Sequence, residues 1–454
     1  MALTESLPFI RSYVFVLNEA LKESDPSKKL SAIQLYWLSF VILGILVTNS
    51  VCWKKIERSS LGAYSSSAIS WMFKKGKISW SSLLYASTLK IIEKYGIKSG
   101  VLVIDDTDAE RSKNTKKIAK VHKIKDKKTG GYFRGQNLIF LVLVSNEVTI
   151  PVGFEFYEPD PAMKLWKKED DRLKALKYSK KERPKEPERN PSYPGKKELA
   201  IKLLNSFVNL FSDIKIKCVV ADCFYGSESF IREAQKASKQ DQIITQIRKN
   251  QLIMINGNYV PIREYFNSCS NAVIKNINLR EKEKSVTYIK GNFKVKSHGK
   301  KYTIIALKYD NEEEYRYVLA SDMTWLELDI IKAFAIRWLV EVFIQDWKSY
   351  EGWNNLAMQP GNDGADRSLT LSLLSDHVLF FHKDQIDLFK NGSPAATVGS
   401  LRNKVLMESI SKFIENIVKC EDPQNELEAF NNKISEIFQL RSSMKHMRNI
   451  DFEI

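Results

Sequence analysis

A change of hydrophobic period at Val101 constrains this chain more than any other feature. Before it, apolar residues recur at helical spacing in SAIQLYWLSFVILGIL, SSAISWMFKKG and WSSLLYASTLKIIEKYG. Short breaks rich in Ser and Gly separate these runs, and the last closes at Gly96. From Val101 the period shortens. VLVID ends in Asp105 and Asp106, NLIFLVLVS follows a very basic stretch, and TIPVGFEFYE alternates apolar with polar positions; all three predict strands. ELAIKLLNSFVNLF then reads as a helix, IKCVVAD as a strand ending in Asp222, and SESFIREAQKASK as another helix. Three strands followed by helix, strand and helix predict an α/β core with a mixed sheet.

Two further segments stand apart. Residues 161–200 are charge-rich, and Pro184, Pro187, Pro191 and Pro194 predict a surface loop. Between about 240 and 320 the runs SVTYIKGNFKV, KYTIIALKYD and EYRYVLASD predict an inserted, mostly β domain. From 326 the chain is helical again, starting with LELDIIKAFAIRWLVEVFIQDWKSY.

Lys and Arg exceed Asp and Glu by 16, a balance that favours polyanionic partners, with nucleic acid the first candidate. Residues 111–130 concentrate it, with nine Lys or Arg against one acidic residue. The bland alternative is a solvated charge run. The five cysteines, Cys52, Cys218, Cys223, Cys269 and Cys420, are scattered and odd in number, unlike a disulfide framework or a zinc knuckle. The five histidines form no HExxH pattern. The N-terminus lacks the basic leader and apolar core of a signal peptide. The apolar run Leu35–Val47 is too short for a bilayer and reads as a buried helix. A soluble, intracellular protein is expected.

Three carboxylate positions carry the chemistry. Asp106, with Asp105 beside it, closes one core strand; Asp222 closes another; Glu341 lies in a helix. Clustered carboxylates stay ionised together only when a cation compensates them, and hard oxygen donors select Mg²⁺ or Mn²⁺. Two such ions can activate an attacking oxygen and stabilise a leaving one at a phosphodiester. Each acid alone is as easily a helix cap. If the strand continues through both, Asp105 and Asp106 point to opposite faces, and spacing alone does not choose between them. On the helix, Phe334, Arg337, Glu341 and Lys348 are separated by 3, 4 and 7 residues and share one face, while Trp338, Leu339, Val342, Phe343 and Ile344 supply a packed side. Arg337 and Lys348 would contact phosphate; the plainer alternative is a surface ion pair between Arg337 and Glu341.

These residues resemble the IS4-type group of DDE transposases, whose signature is Tyr, two residues, Arg, three residues, Glu, six residues, Lys. FAIRWLVEVFIQDWK keeps that spacing, with Phe334 in place of the tyrosine. VLVIDDT matches the first aspartate motif and makes Asp106 the ligand; Asp222 in VVADCFYG matches the second; GGYFRGQNLIFLVLVS is similar to the basic turn and strand between them. The resemblance spans about residues 100–390. It implies an RNase H-like catalytic core in two parts, 91–238 and 324–390, interrupted by a β-rich insertion at 239–323. A helical region at 1–90 would bind DNA ends, and a helical region at 391–454 would serve dimerisation.

The function it implies is cut-and-paste transposition. Asp106, Asp222 and Glu341 would be catalytic and would hold Mg²⁺ (or Mn²⁺), two ions per site. The partners would be the terminal inverted repeats of the element, target DNA and a second copy of the chain. A DNA hairpin intermediate would need a flipped base held by an aromatic residue. Tyr317 is preferred for that over Tyr315 and Trp325, although ordinary sheet core is an equal reading of Tyr317. Arg337, Lys348 and Phe334, with Lys113, Lys116, Lys117 and Arg134 of the basic segment, would lie along the DNA. A bacterial cytoplasmic, nucleoid-associated location follows. A metal-dependent nuclease without strand transfer, or a silent DNA-binding derivative, are the alternatives.

Overall fold

In a computed structural model, which describes residues 5–112, 117–279, 282–310, 312–355 and 358–438, the chain divides into two compact units. One comprises residues 1–79, 350–352 and 374–454, and the other 80–349 and 353–373.

The first unit is helical. It opens with α1 (Pro8–Ser24), α2 (Ala32–Thr48), α3 (Trp53–Ser59) and α4 (Ser66–Lys75). Every residue of α2 from Trp37 to Leu46 is buried, so the helix has no polar face and must be covered on all sides. Helices α1 and α3, which the apolar periodicity did not reveal, and the long helix Val398–Lys419 do this. At Gly44 a Cβ would lie 2.9 Å from Ile56, so glycine there lets α3 press against α2. The helices from both ends of the chain therefore form one unit, rather than the separate 1–90 and 391–454 regions expected. No single helix among the described residues is long and apolar enough to cross a membrane.

The second unit is built on a sheet. Its elements are α5 (Trp80–Lys94), β1 (Ser99–Glu110), β2 (His122–Lys125), β3 (Tyr132–Val144), β4 (Thr149–Tyr157), α6 (Pro161–Ala175), α7 (Lys196–Leu210), β5 (Lys215–Ala221), α8 (Glu228–Ser238) and β6 (Ile243–Gln246). They continue with β7 (Leu252–Ile255), β8 (Asn258–Pro261), α9 (Ile262–Ser268), β9 (Val273–Leu279), β10 (Lys282–Lys294), β11 (Lys301–Tyr309), β12 (Arg316–Ala320) and α10 (Glu327–Ile336), then α11 (Trp338–Tyr350) and α12 (Asn362–His377), whose last residues, Tyr350 and 374–377, fall in the first unit. Strand order across the sheet is β2-β3-β1-β5-β6-β12-β11-β10-β9, with β4 also on β3. The pair β1/β3 is antiparallel, and β1/β5 and β5/β6 are parallel. Three antiparallel strands followed by two parallel ones, with α7 and α8 in the connections, make the RNase H-like mixed core.

Three expectations change. Strand β1 does not stop at the aspartates: it pairs with β3 as far as Glu110 opposite Gly135, its polar end held by the ladder rather than by an apolar pattern. The β-rich segment is no separate domain. Val318, Leu319 and Ala320 pair with Gln246, Thr245 and Ile244, so β12 to β9 extend the core sheet across the otherwise open edge of β6. Finally, residues 161–175 form α6 instead of loop. Pro161 occupies its first turn, where proline loses no helical bond, and Asp160 caps it.

Candidate active site

The parallel pairing of β1 and β5 sets the site. Ile104 pairs with Ala221, so the next residues on each strand, Asp105 and Asp222, emerge at the same end of the sheet. Asp222 accepts the Phe224 amide at 2.9 Å and caps a single helical turn, Cys223–Tyr225. Gly226 closes that turn 2.8 Å from the Gln246 carbonyl, as measured from where a Cβ would stand, leaving no room for a side chain.

Asp105, Asp106 and Asp222 each bring a carboxylate oxygen within 4.8 Å of the others. Adjacent residues of a flat strand would diverge, yet both aspartates join this group; Asp105 Oδ1 accepts the amide of Asp106 at 2.8 Å. Burial raises the Asp105 carboxyl to about 6 against the opposing pull of Arg337. Burial also raises Asp222, with the Asp106 charge adding to it. Beneath them the buried Tyr225 hydroxyl is pushed up by burial and by the same three acids.

Cations answer this charge. Arg337 Nη1 lies 3.0 Å from Asp105 and Nη2 2.5 Å from Glu341. Lys196, at the first turn of α7, lies 2.6 Å from Asp106 Oδ2. Asn137 of β3 donates to Asp106 at 3.4 Å and also to Asp108. Lys348 donates to Thr107 Oγ1 at 2.7 Å and to the Asp108 carbonyl, and burial lowers its affinity for a proton.

Helix packing aims these side chains. Val340, Phe343 and Trp347 form the buried stripe of α11 at spacings of 3 and 4. Phe343 and Trp347 meet Phe140, the β3 partner of Asp105, edge-on at 5.5 and 5.0 Å. Trp347 also stacks on Trp353. Fully burying such a ring stabilises by roughly 3 kcal/mol. Arg111 secures the segment beyond α11: it stacks on Trp353 at 4.5 Å and donates to the carbonyls of Trp353 and Asn355 and to Gln136. The predicted single helix is broken at Arg337 into α10 and α11.

Among the described residues, the three aspartates are the group placed to hold a metal ion. All donors are carboxylate oxygens, without His or Cys, a set suited to Mg²⁺ or Mn²⁺. Glu341 stands outside that group, 40% exposed and joined to it through Arg337. Phe334 is buried in the core. Tyr317 is also buried, 5.8 Å from Phe266, as the sheet-core reading has it. Trp325 lines a cavity with Gly100, Val144 and Lys217, at the end of the strands opposite the aspartates. Trp338, assigned to the packed side, is instead 43% exposed and lines a cavity with Arg337, Glu341, Lys284 and Arg316. Lys117 and Arg134 are exposed; Lys113 and Lys116 lie outside the described residues.

An RNase H-like mixed core thus carries three clustered carboxylates that could hold a divalent metal ion. Residues 41–263, just under half of the chain, match the family model of the DDE superfamily endonucleases, which supports a DDE transposase-type family and thus a transposase or nuclease. The match includes Asp105, Asp106 and Asp222 and ends before the helix of Glu341. No curated protein matches the chain.

Proposed function

We propose that the chain is an IS4-type DNA transposase that binds terminal inverted repeats and performs metal-dependent cut-and-paste transposition through a DNA hairpin, acting as a homodimer on paired ends. The observation that carries this is Arg337. It links the spaced helix residues, which the family match does not reach, to the aspartate cluster: one amino group on Asp105 and the other on Glu341. Divalent cations held by Asp106, Asp222 and Glu341, with Asp105 beside them, would supply Lewis-acid activation of the attacking oxygen and stabilisation of the leaving one.

The chain's own residues then divide the remaining work. Arg337 presents a planar fork suited to a phosphate once a cation has taken over the carboxylates. Lys348, held at Thr107 and Asp108, orients the end of β1 against α11. Trp338, exposed beside Glu341, offers a ring face at the site, where the buried Tyr317 does not.

The test is cleavage of DNA carrying the repeats that flank the gene, in Mg²⁺, with Glu341→Gln alongside the native protein. Cuts at the repeat boundary that the variant lacks, and a strand of doubled length on a denaturing gel, are expected. Cuts without joining to target DNA would favour the nuclease reading, and binding without cuts the silent derivative.

A further inference from the structure

The lip of the acidic site carries an aromatic ring and two lysines for which the cleavage step has no use. Phe224 sits two residues after Asp222, its amide fixed on that carboxylate while its ring remains 45% exposed. The ammonium groups of Lys196 and Lys197 lie 5.8 and 5.4 Å from the ring centre. Lys197 is anchored on Ser227 Oγ at 2.7 Å, and Lys196 reaches both Asp106 and, at 5.7 Å, the ring of Tyr157.

A lone exposed phenylalanine is ordinary. This one has its backbone amide pinned at the rim of a carboxylate cluster, with two ammonium groups within 5.8 Å of its ring centre. A single strand of nucleic acid presents that complement, a base face for stacking and phosphates for the flanking charges. A paired duplex keeps its base faces stacked inside and offers phosphates and base edges but no face for stacking. Lys196 has two possible partners. It pairs with Asp106 at 2.6 Å; a divalent cation held by Asp106 would compete with the ammonium and would free it for a phosphate.

We propose that Phe224, Lys196 and Lys197 grip an unpaired DNA segment beside the phosphate that is cut, Phe224 stacking a base and the lysines holding the flanking phosphates. This rests on the reading of the site as a DNA-cutting centre.

The experiment uses full-length protein carrying Glu341→Gln, in Mg²⁺, with the DNA that flanks the gene prepared fully paired or with a frayed, 2-aminopurine-labelled end. Binding of the frayed DNA should quench the probe. Phe224→Leu, matched to its parent in melting temperature, should lose the quench and bind the frayed DNA about tenfold more weakly, the size of a lost base stack, with under twofold change on paired DNA. Phe224→Tyr should restore both, and Lys197→Gln should lower the salt slope for the frayed DNA by about 0.7. Unchanged quenching and affinity in Phe224→Leu would overturn the proposal. If the protein without Glu341→Gln still cuts this DNA in that case, the lip is wrong and the reading of the site as a DNA-cutting centre stands. If it neither binds nor cuts either DNA, the functional reading fails and takes the lip with it.

Discussion

Arg337 holds Asp105 at 3.0 Å across 232 residues of chain, and both side chains are largely withdrawn from water. Its second amino group spans to Glu341, so one guanidinium offsets two carboxylates of the site. Removing it leaves the buried Asp105 without its counter-charge beside Asp106 and Asp222, a more costly state than removing the pair together. Arg337→Ala should therefore destabilise the metal-free protein by about 2–3 kcal/mol. Asp105→Asn in the same chain should recover much of the loss. Urea unfolding of the two single variants and the double variant measures the coupling; additive losses would show that the two groups do not interact.

The acids also set a pH dependence. Asp105 is raised to about 6 in the folded chain, chiefly by burial, and Asp222 is raised for the same reason. A carboxyl raised on folding binds its proton more tightly in the native state. Its contribution to stability is full below the unfolded value near 3.8 and is lost as pH climbs through about 6. The metal-free protein should lose stability from Asp105 between about pH 4 and pH 6, and Asp222 should add to the loss in the same direction. Mg²⁺ prefers the ionised cluster, so it should raise the melting temperature more at pH 7.5 than at pH 5. Equal shifts at both values would place the bound cation elsewhere, and Asp105→Asn should flatten the profile.

Loss of a carboxylate that binds the catalytic cation removes chemistry more than DNA binding. Asp106→Ala, Asp222→Asn and Glu341→Gln should each reduce cleavage by more than about a hundredfold, while affinity for repeat DNA changes little. Single-turnover cleavage and gel-shift titrations on the same preparations separate the two. Full cleavage by Asp106→Ala would transfer its role to Asp105, which the structure places in the same cluster.

Much of this was legible before any coordinates. Apolar β-branched runs are readable up to the charged residues that close them, and VLVID and IKCVVAD point to Asp105, Asp106 and Asp222, although only β5 ends there. The 3-4-7 spacing singles out Arg337, Glu341 and Lys348, of which Arg337 and Lys348 reach β1 while Glu341 stands outside the cluster and Phe334 is in the core. What escaped depends on partners distant in sequence. The polar half of β1 is a strand only because β3 pairs with it, and the sheet passes from β6 to β12 through registers no local pattern encodes. Lys196 looked like any lysine after a proline-rich loop; only the packing of α7 on β3 and β4 brings it to Asp106. Tyr317 is singled out by its position near the end of the β-rich segment, whereas β12 is buried at every residue after Arg316, Tyr317 included.

The hairpin of β2 and β3 supplies the remaining prediction. Lys123 and Arg134 are direct cross-strand partners, like charges set opposite each other, and Lys123 lies 4.1 Å from the ring centre of Tyr132. Such a pair costs a few tenths of a kcal/mol or more in the free protein, a cost that a bound polyanion reverses. Arg134 lies five residues along β3 from Ile139, the partner of Asp106, which puts it about 16 Å from the cluster, within reach of the same duplex. Lys123→Gln combined with Arg134→Gln should leave the fold intact or slightly more stable. It should weaken binding of all DNA sequences alike and reduce the logarithmic salt slope by about 1.8, two phosphate contacts. Affinity measured from 50 to 200 mM salt on specific and unrelated duplexes decides it. An unchanged slope would make the hairpin a solvated charge run, and a loss confined to one sequence would make it a reader of bases instead of phosphates.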